Sequence, residues 1–443
     1  MVQSQQDAIQ RREISSFRDP AGQIVIRNGM VFREINPSGM TDYNLLITSG
    51  LYKALLDKKL IIFHKEIHDG PAFCLLPRQL DFISYPYEWP FSYYKKAALA
   101  TIEIAEEALK HGMMLKDASA FNMQYVDGQM QLIDTLSFCK YEPGMPWFSF
   151  QQFLQHFLNP MLLMTNCGPA LSGLHGINGI PSKLTAQLLP WYQHLSFDAL
   201  AYVYAPSWGK DSTTKKIPRI GKLQLTAFLH SLKNYVISIT YKVKSAWSEY
   251  DNCSYSVSAL ADKHHAVSQM LLHLPFGKVL DLGANTGYYS MMAALGGNDV
   301  IATDNDHDCV EYIVNLRPNV LALRMDVCNP TPAVGWDNAE RKSFWDRCHP
   351  DTILCLALIH HLCISNNTPL DYVARLFSAH CRRHLIIEWV PPDDPKAAAI
   401  AFNRIFPRYN LDVFKSAFCD YFTFEQERPL ADSKRIIYLM EKR

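Results

Sequence analysis

The stretch GKVLDLGANTGYYS, residues 277–290, constrains the fold more than any other. An apolar run ends in Asp281, and a turn built on Gly283, Asn285 and Gly287 follows before the next apolar run begins. A turn this bare suits the carboxyl end of a buried parallel strand, where a helix must start at once. The surrounding chain repeats the pattern. KVLDLG, DVIATD, VLALRMD, DTILCLAL and HLIIEWV read as strands, and YYSMMAALGG, HDCVEYIVNL and LDYVARLFSAHC as helices. That alternation predicts an α/β fold whose parallel sheet is covered on both faces. The end differs, because YFTFEQERPLADSKRIIYLMEK reads as a closing antiparallel hairpin.

A chain of 443 residues exceeds what one core usually supports, so more than one domain is expected. We divide it into an α+β domain at 1–205, a basic linker and helix at 206–250, and the alternating domain at 251–443. Lys+Arg and Asp+Glu both number 43, so overall charge gives no sign of a polyanionic partner. Residues 205–247 hold eight Lys/Arg (210, 215, 216, 219, 222, 233, 242, 244) and one acid, Asp211. They are spread along the segment, which fits a solvated helix face better than a nucleic-acid site. The 11 cysteines show no CxxC pair and no zinc-ligand spacing, so they read as reduced thiols and no metal is expected. With no signal-peptide pattern and no apolar run of about 18 residues, the expectation is a cytoplasmic protein without a membrane span.

The turn at 283–287 lacks the GxGxxG spacing of a dinucleotide site, and Asp281 ahead of it would repel phosphate. The ligand suggested carries a ribose and a cation. Asp304 ends the second strand, placed to accept from both ribose hydroxyls. Asp326 ends the third, where its acid or the neighbouring amide suits an adenine amino group. One strand-terminal Asp is ordinary turn chemistry, but three on successive strands form a pattern.

VLDLGANTGYYS, VIATDND and LRMDV resemble the first three motifs of class I S-adenosylmethionine-dependent methyltransferases. The resemblance covers roughly 250–443 and implies a Rossmann-like, seven-stranded domain with S-adenosyl-L-methionine as cofactor. It implies that Gly283, Asn285 and Gly287 line the methionine moiety, with Asp281 facing its amino group, Asp304 the ribose and Asp326 the adenine. Asn285 stands where the family often has a glycine. Tyr255 is the candidate from the preceding segment 252–265, with Lys263 behind it. The fourth strand runs on into LALIHHL, so His360 and His361 fall beside the transferable methyl as candidate bases. Glu388, at the end of HLIIE, is a further catalytic candidate. The Asn-Pro-Pro-aromatic motif of amino-nucleobase methyltransferases is absent, which leaves a hydroxyl or amine of a small molecule or saccharide as acceptor.

In the first half, Asn28-Gly29 and Asp127-Gly128 each mark a hairpin. A helix is expected over 42–60, short strands around 60–63 and 72–76, and a long helix over 92–112 closed by Gly112. Asp117, Asn122 and Asp134 follow in the order and spacing of protein-kinase-like phosphotransferases, a resemblance that implies a hydroxyl-positioning Asp and magnesium-holding Asn and Asp. Leu115-Lys116 and Thr135-Leu136 depart from that family's motifs, and Lys65 or Arg33 would stand for its strand-three lysine. The whole chain resembles bacterial methyltransferases of the nodulation type. Two alternatives to a plain methyltransferase stay open: a regulatory or scaffold protein whose pseudokinase-like module recruits a protein partner, and a bifunctional kinase-methyltransferase.

Overall fold

The computed structural model describes residues 10–69, 72–207, 220–243 and 255–443. The chain divides into two compact units, and the division is not a single cut. The first unit comprises Met1–Lys242 together with Ala333–Lys342; the second comprises Val243–Pro332 and Ser343–Arg443.

The first unit opens with five antiparallel strands. They are β1 (Gln10–Arg12), β2 (Gly22–Arg27), β3 (Met30–Ile35), β4 (His64–Asp69) and β5 (Ala72–Pro77), in the order β1-β2-β3-β5-β4. Arg27 pairs with Met30 across a two-residue turn, and Asn28 and Gly29 take the left-handed conformation that such turns require (φ 51° and 79°). The helix expected over 42–60 is two helices, Pro37–Thr48 and Leu51–Asp57, broken where Gly50 turns left-handed. Residues 60–63 form no strand and give one bridge, Ile61 to Leu132, before β4 begins at His64. The helix Phe91–Lys110 buries Ala97, Ala98, Ile102 and Ala105, which recur at helical spacing. Gly112 follows its end at φ 72°. Three-residue strands β6 (Met113–Leu115) and β9 (Phe138–Lys140) pair around a second hairpin, β7 (Met123–Val126) and β8 (Gln129–Leu132).

The segment expected as linker is otherwise where it is described. The helix Lys222–Ser238 buries Leu225, Leu229, Leu232 and Val236 in the first unit. Lys233 pairs with Glu106 (3.3 Å), and Lys95 donates to the carbonyls of Ile237 and Ile239. Its apolar face therefore belongs to a core. Lys210, Lys215, Lys216, Arg219 and Lys244 lie outside the described residues.

The strap Ala333–Lys342 is held by its own charges. Glu340 is buried and accepts twice from Arg18 (2.7 and 2.9 Å). Arg341 lies over the Phe121 ring, 4.6 Å from its centre, and Lys342 pairs with Glu13 (3.1 Å).

The second unit is one sheet of seven strands: β10 (Lys278–Leu282), β11 (Asp299–Asp304), β12 (Val320–Arg324), β13 (Thr352–Cys355), β14 (His384–Trp389), β15 (Phe422–Pro429) and β16 (Ile436–Lys442). The order is β12-β11-β10-β13-β14-β16-β15, with β10 to β14 parallel and β16 antiparallel to both its neighbours. The sheet order reverses direction at β10, between β11 and β13, which is the switch point where ligands of open α/β sheets bind. Among the described residues every cysteine is a free thiol, and no helix is long and apolar enough to cross a membrane.

Candidate cofactor and acceptor site

The chain leaves β10 through a turn with three left-handed residues, Gly283 (φ 66°), Asn285 (φ 50°) and Gly287 (φ 72°). A Cβ on Gly287 would stand 2.8 Å from Ile313 Cγ1, and one on Gly283 would stand 3.0 Å from Leu358 Cδ1. Glycine is therefore required twice over at 287, by conformation and by space. Gly287 caps the helix Tyr288–Leu295, which starts directly after the turn.

Two buried acids flank this turn. Asp281 accepts from Ser290 Oγ (2.6 Å). Burial pushes its carboxyl up to about 7, with the charge of Asp304 adding and the Ser290 bond opposing. Asp304 accepts from the backbone amides of Asn285 (2.9 Å) and Asp306 (2.8 Å). Burial nonetheless raises it to about 6. Neither acid has an ion-pair partner among the described residues, so each keeps capacity to accept from a donor or cation. Asp326 differs. It is half-buried, and its carboxylate closes a local turn onto the Cys328 amide (2.8 Å).

Three acids at the carboxyl ends of three adjacent parallel strands, a left-handed glycine turn at the switch point, and a seventh strand reversed into the sheet together fix the architecture. The second unit has the class I methyltransferase fold.

Past β13 the chain turns at Ala357 (φ 50°) and reaches the histidine pair. The rings of His360 and His361 stand 4.3 Å apart. His360 is buried, and its Nδ1 has no hydrogen-bond partner. Burial drives its pKa down to about 3, helped by His361 and Arg435 and opposed by Glu388 and Asp394. His361 is lowered too, by burial and then by Arg435. Both rings are neutral at physiological pH. Burial opposes the sequence expectation of a base titrating in the usual histidine range.

Glu388 and Tyr255 meet, although 133 residues separate them. Tyr255 Oη donates to Glu388 Oε1 (2.8 Å) and accepts from Lys263 Nζ (2.9 Å) and from Arg435. Lys263 Nζ lies 2.8 Å from Glu388 Oε2, and Arg435 Nη1 lies 3.3 Å from Oε1. Arg435 also holds Asp394 through two nitrogens (2.7 and 3.1 Å). Burial alone would raise Glu388, but Lys263 and Arg435 outweigh it and keep the acid below its usual range. Glu388, expected as a catalytic candidate, is thus a fully buried, doubly paired carboxylate with little drive to take a proton. Tyr255 likewise has its hydroxyl committed. Arg435 and Asp394 were missed in the sequence. Asp394 sits in PPDDP as an ordinary helix cap, accepting from the Lys396 amide (2.9 Å), and Arg435 precedes the last strand like any surface cation.

No family model matches the chain. Over nearly its whole length the chain is similar to nodulation protein NoeA of Rhizobium meliloti (strain 1021), at 29% identity across 97% of this chain and 96% of that one. Among solved structures, the N-methyltransferase NodS from Bradyrhizobium japonicum WM9 with S-adenosyl-L-homocysteine matches 45% of this chain and 94% of its own, at 8% identity and TM-score 0.34. Magnesium protoporphyrin IX methyltransferase from Synechocystis PCC 6803 matches 44% and 93%, at 15% identity and TM-score 0.31.

Proposed function

We propose that the protein is an S-adenosylmethionine-dependent methyltransferase whose acceptor is a small-molecule or saccharide amine or hydroxyl. The observation that carries this reading is the pair of buried acids, Asp281 and Asp304, neither of which has an ion-pair partner among the described residues; Lys263 acts on Asp281 only through its more distant charge, and burial still raises both. A ligand that brings an ammonium and a vicinal diol matches what these carboxylates lack. The donor set therefore fits the cofactor.

In this reading Asp304 accepts from the ribose hydroxyls while its amide donors hold it in place. Asp281 takes the amino group, and the turn at 283–287 lets the backbone approach without side chains. Asp326 or the amide beside it meets the adenine. The bound cofactor supplies an electrophilic methyl on a sulfonium, displaced in line by the acceptor. His360 and His361 flank the acceptor's side of the strands. A neutral imidazole of such low basicity orients a nucleophile well but draws a proton from a hydroxyl poorly. That favours an amine, which attacks through its lone pair and sheds a proton afterwards. The Lys263–Glu388–Tyr255–Arg435–Asp394 cluster fixes the approach to the helix Val257–His273 against β14 and the start of β16.

Calorimetry of the full chain with S-adenosyl-L-homocysteine tests the cofactor, and a mass-spectrometric search of host extract for label from the methyl group tests the transfer. Failure to bind S-adenosyl-L-homocysteine at millimolar concentration would overturn the reading.

A further inference from the structure

The order Asp117, Asn122, Asp134 in the first unit implies, by its resemblance to phosphotransferases, a divalent cation held between Asn122 and Asp134. The donors present do not fit one. Asp134 Oδ1 lies 2.8 Å from a guanidinium nitrogen of Arg33 and accepts from the Leu136 amide (3.2 Å). Asp134 Oδ2 accepts from Ser137 Oγ (2.8 Å). The same guanidinium is bonded to Asp19. Asn122 turns its amide nitrogen toward Asp117 Oδ2 (3.0 Å), so the donor end of that amide is the one in use. Asp117 accepts in addition from the Ser119 amide (3.0 Å) and Gln152 Nε2 (2.7 Å). Lys116 pairs with Asp42 (3.2 Å). Among the described residues no group of three or more His, Cys, Asp or Glu is placed to hold a metal.

Arg33 is also rigidly placed. It lies in β3, paired in register with Ile24 on one side and Leu75 on the other, so the guanidinium is delivered from the middle of the sheet. A guanidinium carries its charge permanently and bonds two carboxylates at fixed geometry. The Lys65 alternative drops out, because Lys65 is exposed on the edge strand β4.

We infer that Arg33 stands where a divalent cation would stand, so that Asp19, Arg33 and Asp134 form a metal-independent brace and the first unit does not transfer phosphate. The brace joins β3, the loop ahead of β2 and the loop after β8. Removing its cation leaves carboxylates that must take a proton or a new cation, so at a pH that keeps them ionised the variant should acquire the metal site the wild type lacks.

The test is Mn²⁺ titration of the full chain, read by thermal shift and by water-proton relaxation. Wild type should respond to 1 mM Mn²⁺ no more than an Asp134→Asn variant does. Arg33→Ala should melt several degrees lower and regain about half of that loss with Mn²⁺, by mass action on the folded state. The double variant R33A/D134N should lose the Mn²⁺ response. If Arg33→Ala proves too unstable to purify, Arg33→Lys, whose point charge satisfies one carboxylate, takes its place and should show a weaker gain. Saturable Mn²⁺ binding by wild type that Asp134→Asn removes would overturn the inference. So would a folded Arg33 variant with no gain, or phosphate transfer from ATP that depends on Asp134.

Discussion

Both units place acids at or near the ends of strands, and they treat them in opposite ways. In the first unit Asp134 and Asp19 share the guanidinium of Arg33. In the second, Asp281 and Asp304 are given only hydroxyl and amide donors, and burial lifts both. A buried charge is costly unless it is paired. An acid cluster that already contains its cation is therefore finished as structure. One that lacks it is strained in the free protein and relieved by a ligand. On the proposed reading the difference separates a brace from a binding site, although the sequence motifs look equally functional.

The contrast breaks or holds first at Asp304. Asp304→Ala removes two charge-assisted hydrogen bonds, at about 1.5–3 kcal/mol each. Affinity for S-adenosyl-L-homocysteine should fall by about a hundredfold or more in calorimetry, whereas Asp134→Ala should leave it alone. Equal effects from the two variants would erase the distinction.

His360→Ala comes next. Methyl transfer should fall by up to roughly a hundredfold, with cofactor affinity intact, if the ring orients or assists the acceptor. The rate profile of wild type should show no inflection in the normal histidine range, because the folded ring titrates near 3. Joint loss of cofactor affinity and melting temperature would instead make the ring structural.

The third comparison is across pH. The native Asp281 carboxyl, near 7, holds its proton more tightly than the same group in an unfolded chain, near 3.8. Its relative contribution to stability is thus full below the unfolded value and is lost as pH rises through 7. Binding an ammonium needs the ionised form, so cofactor affinity should rise by about tenfold between pH 6 and pH 8. Asp281→Asn should flatten that rise.

A last effect has the unusual sign. Asp281→Asn should stabilise the ligand-free protein at pH 8 by on the order of 2 kcal/mol while weakening cofactor binding. The gain should vanish near pH 4, where wild type is protonated too. A destabilised variant at pH 8 would show that the buried charge is better compensated than the geometry indicates.

Sequence reading served the second unit well because its signals are local. Gly283, Asn285 and Gly287 announce their left-handed turn by residue type, and each strand of the sheet is a contiguous apolar run. The reversed last strand was legible from its hairpin. Long-range pairing was not. Nothing in the sequence joins Tyr255 to Arg435, 180 residues away, or tells that two cations neutralise Glu388. The burial that disarms His360 as a base is equally a property of the packed molecule. In the first unit the two hairpins were plain from Asn28-Gly29 and Asp127-Gly128, but Gly50 split a helix that leucine spacing had joined. The helix Lys222–Ser238 showed its apolar stripe, and what it packs on depends on Lys95 and Glu106, more than a hundred residues earlier.

The strap has a consequence for how this chain is divided by genes or by proteases. Ten residues of the first unit, Ala333–Lys342, are encoded inside the second. The polypeptide passes between the units at three places, so no single junction yields two complete halves. A fragment ending near Lys242 lacks its own Glu340, leaving Arg18 without its carboxylate, and the remaining fragment carries an orphaned Glu340 and Arg341. Two such fragments made in one cell hold complementary parts and have reason to reassemble, as a split reporter does.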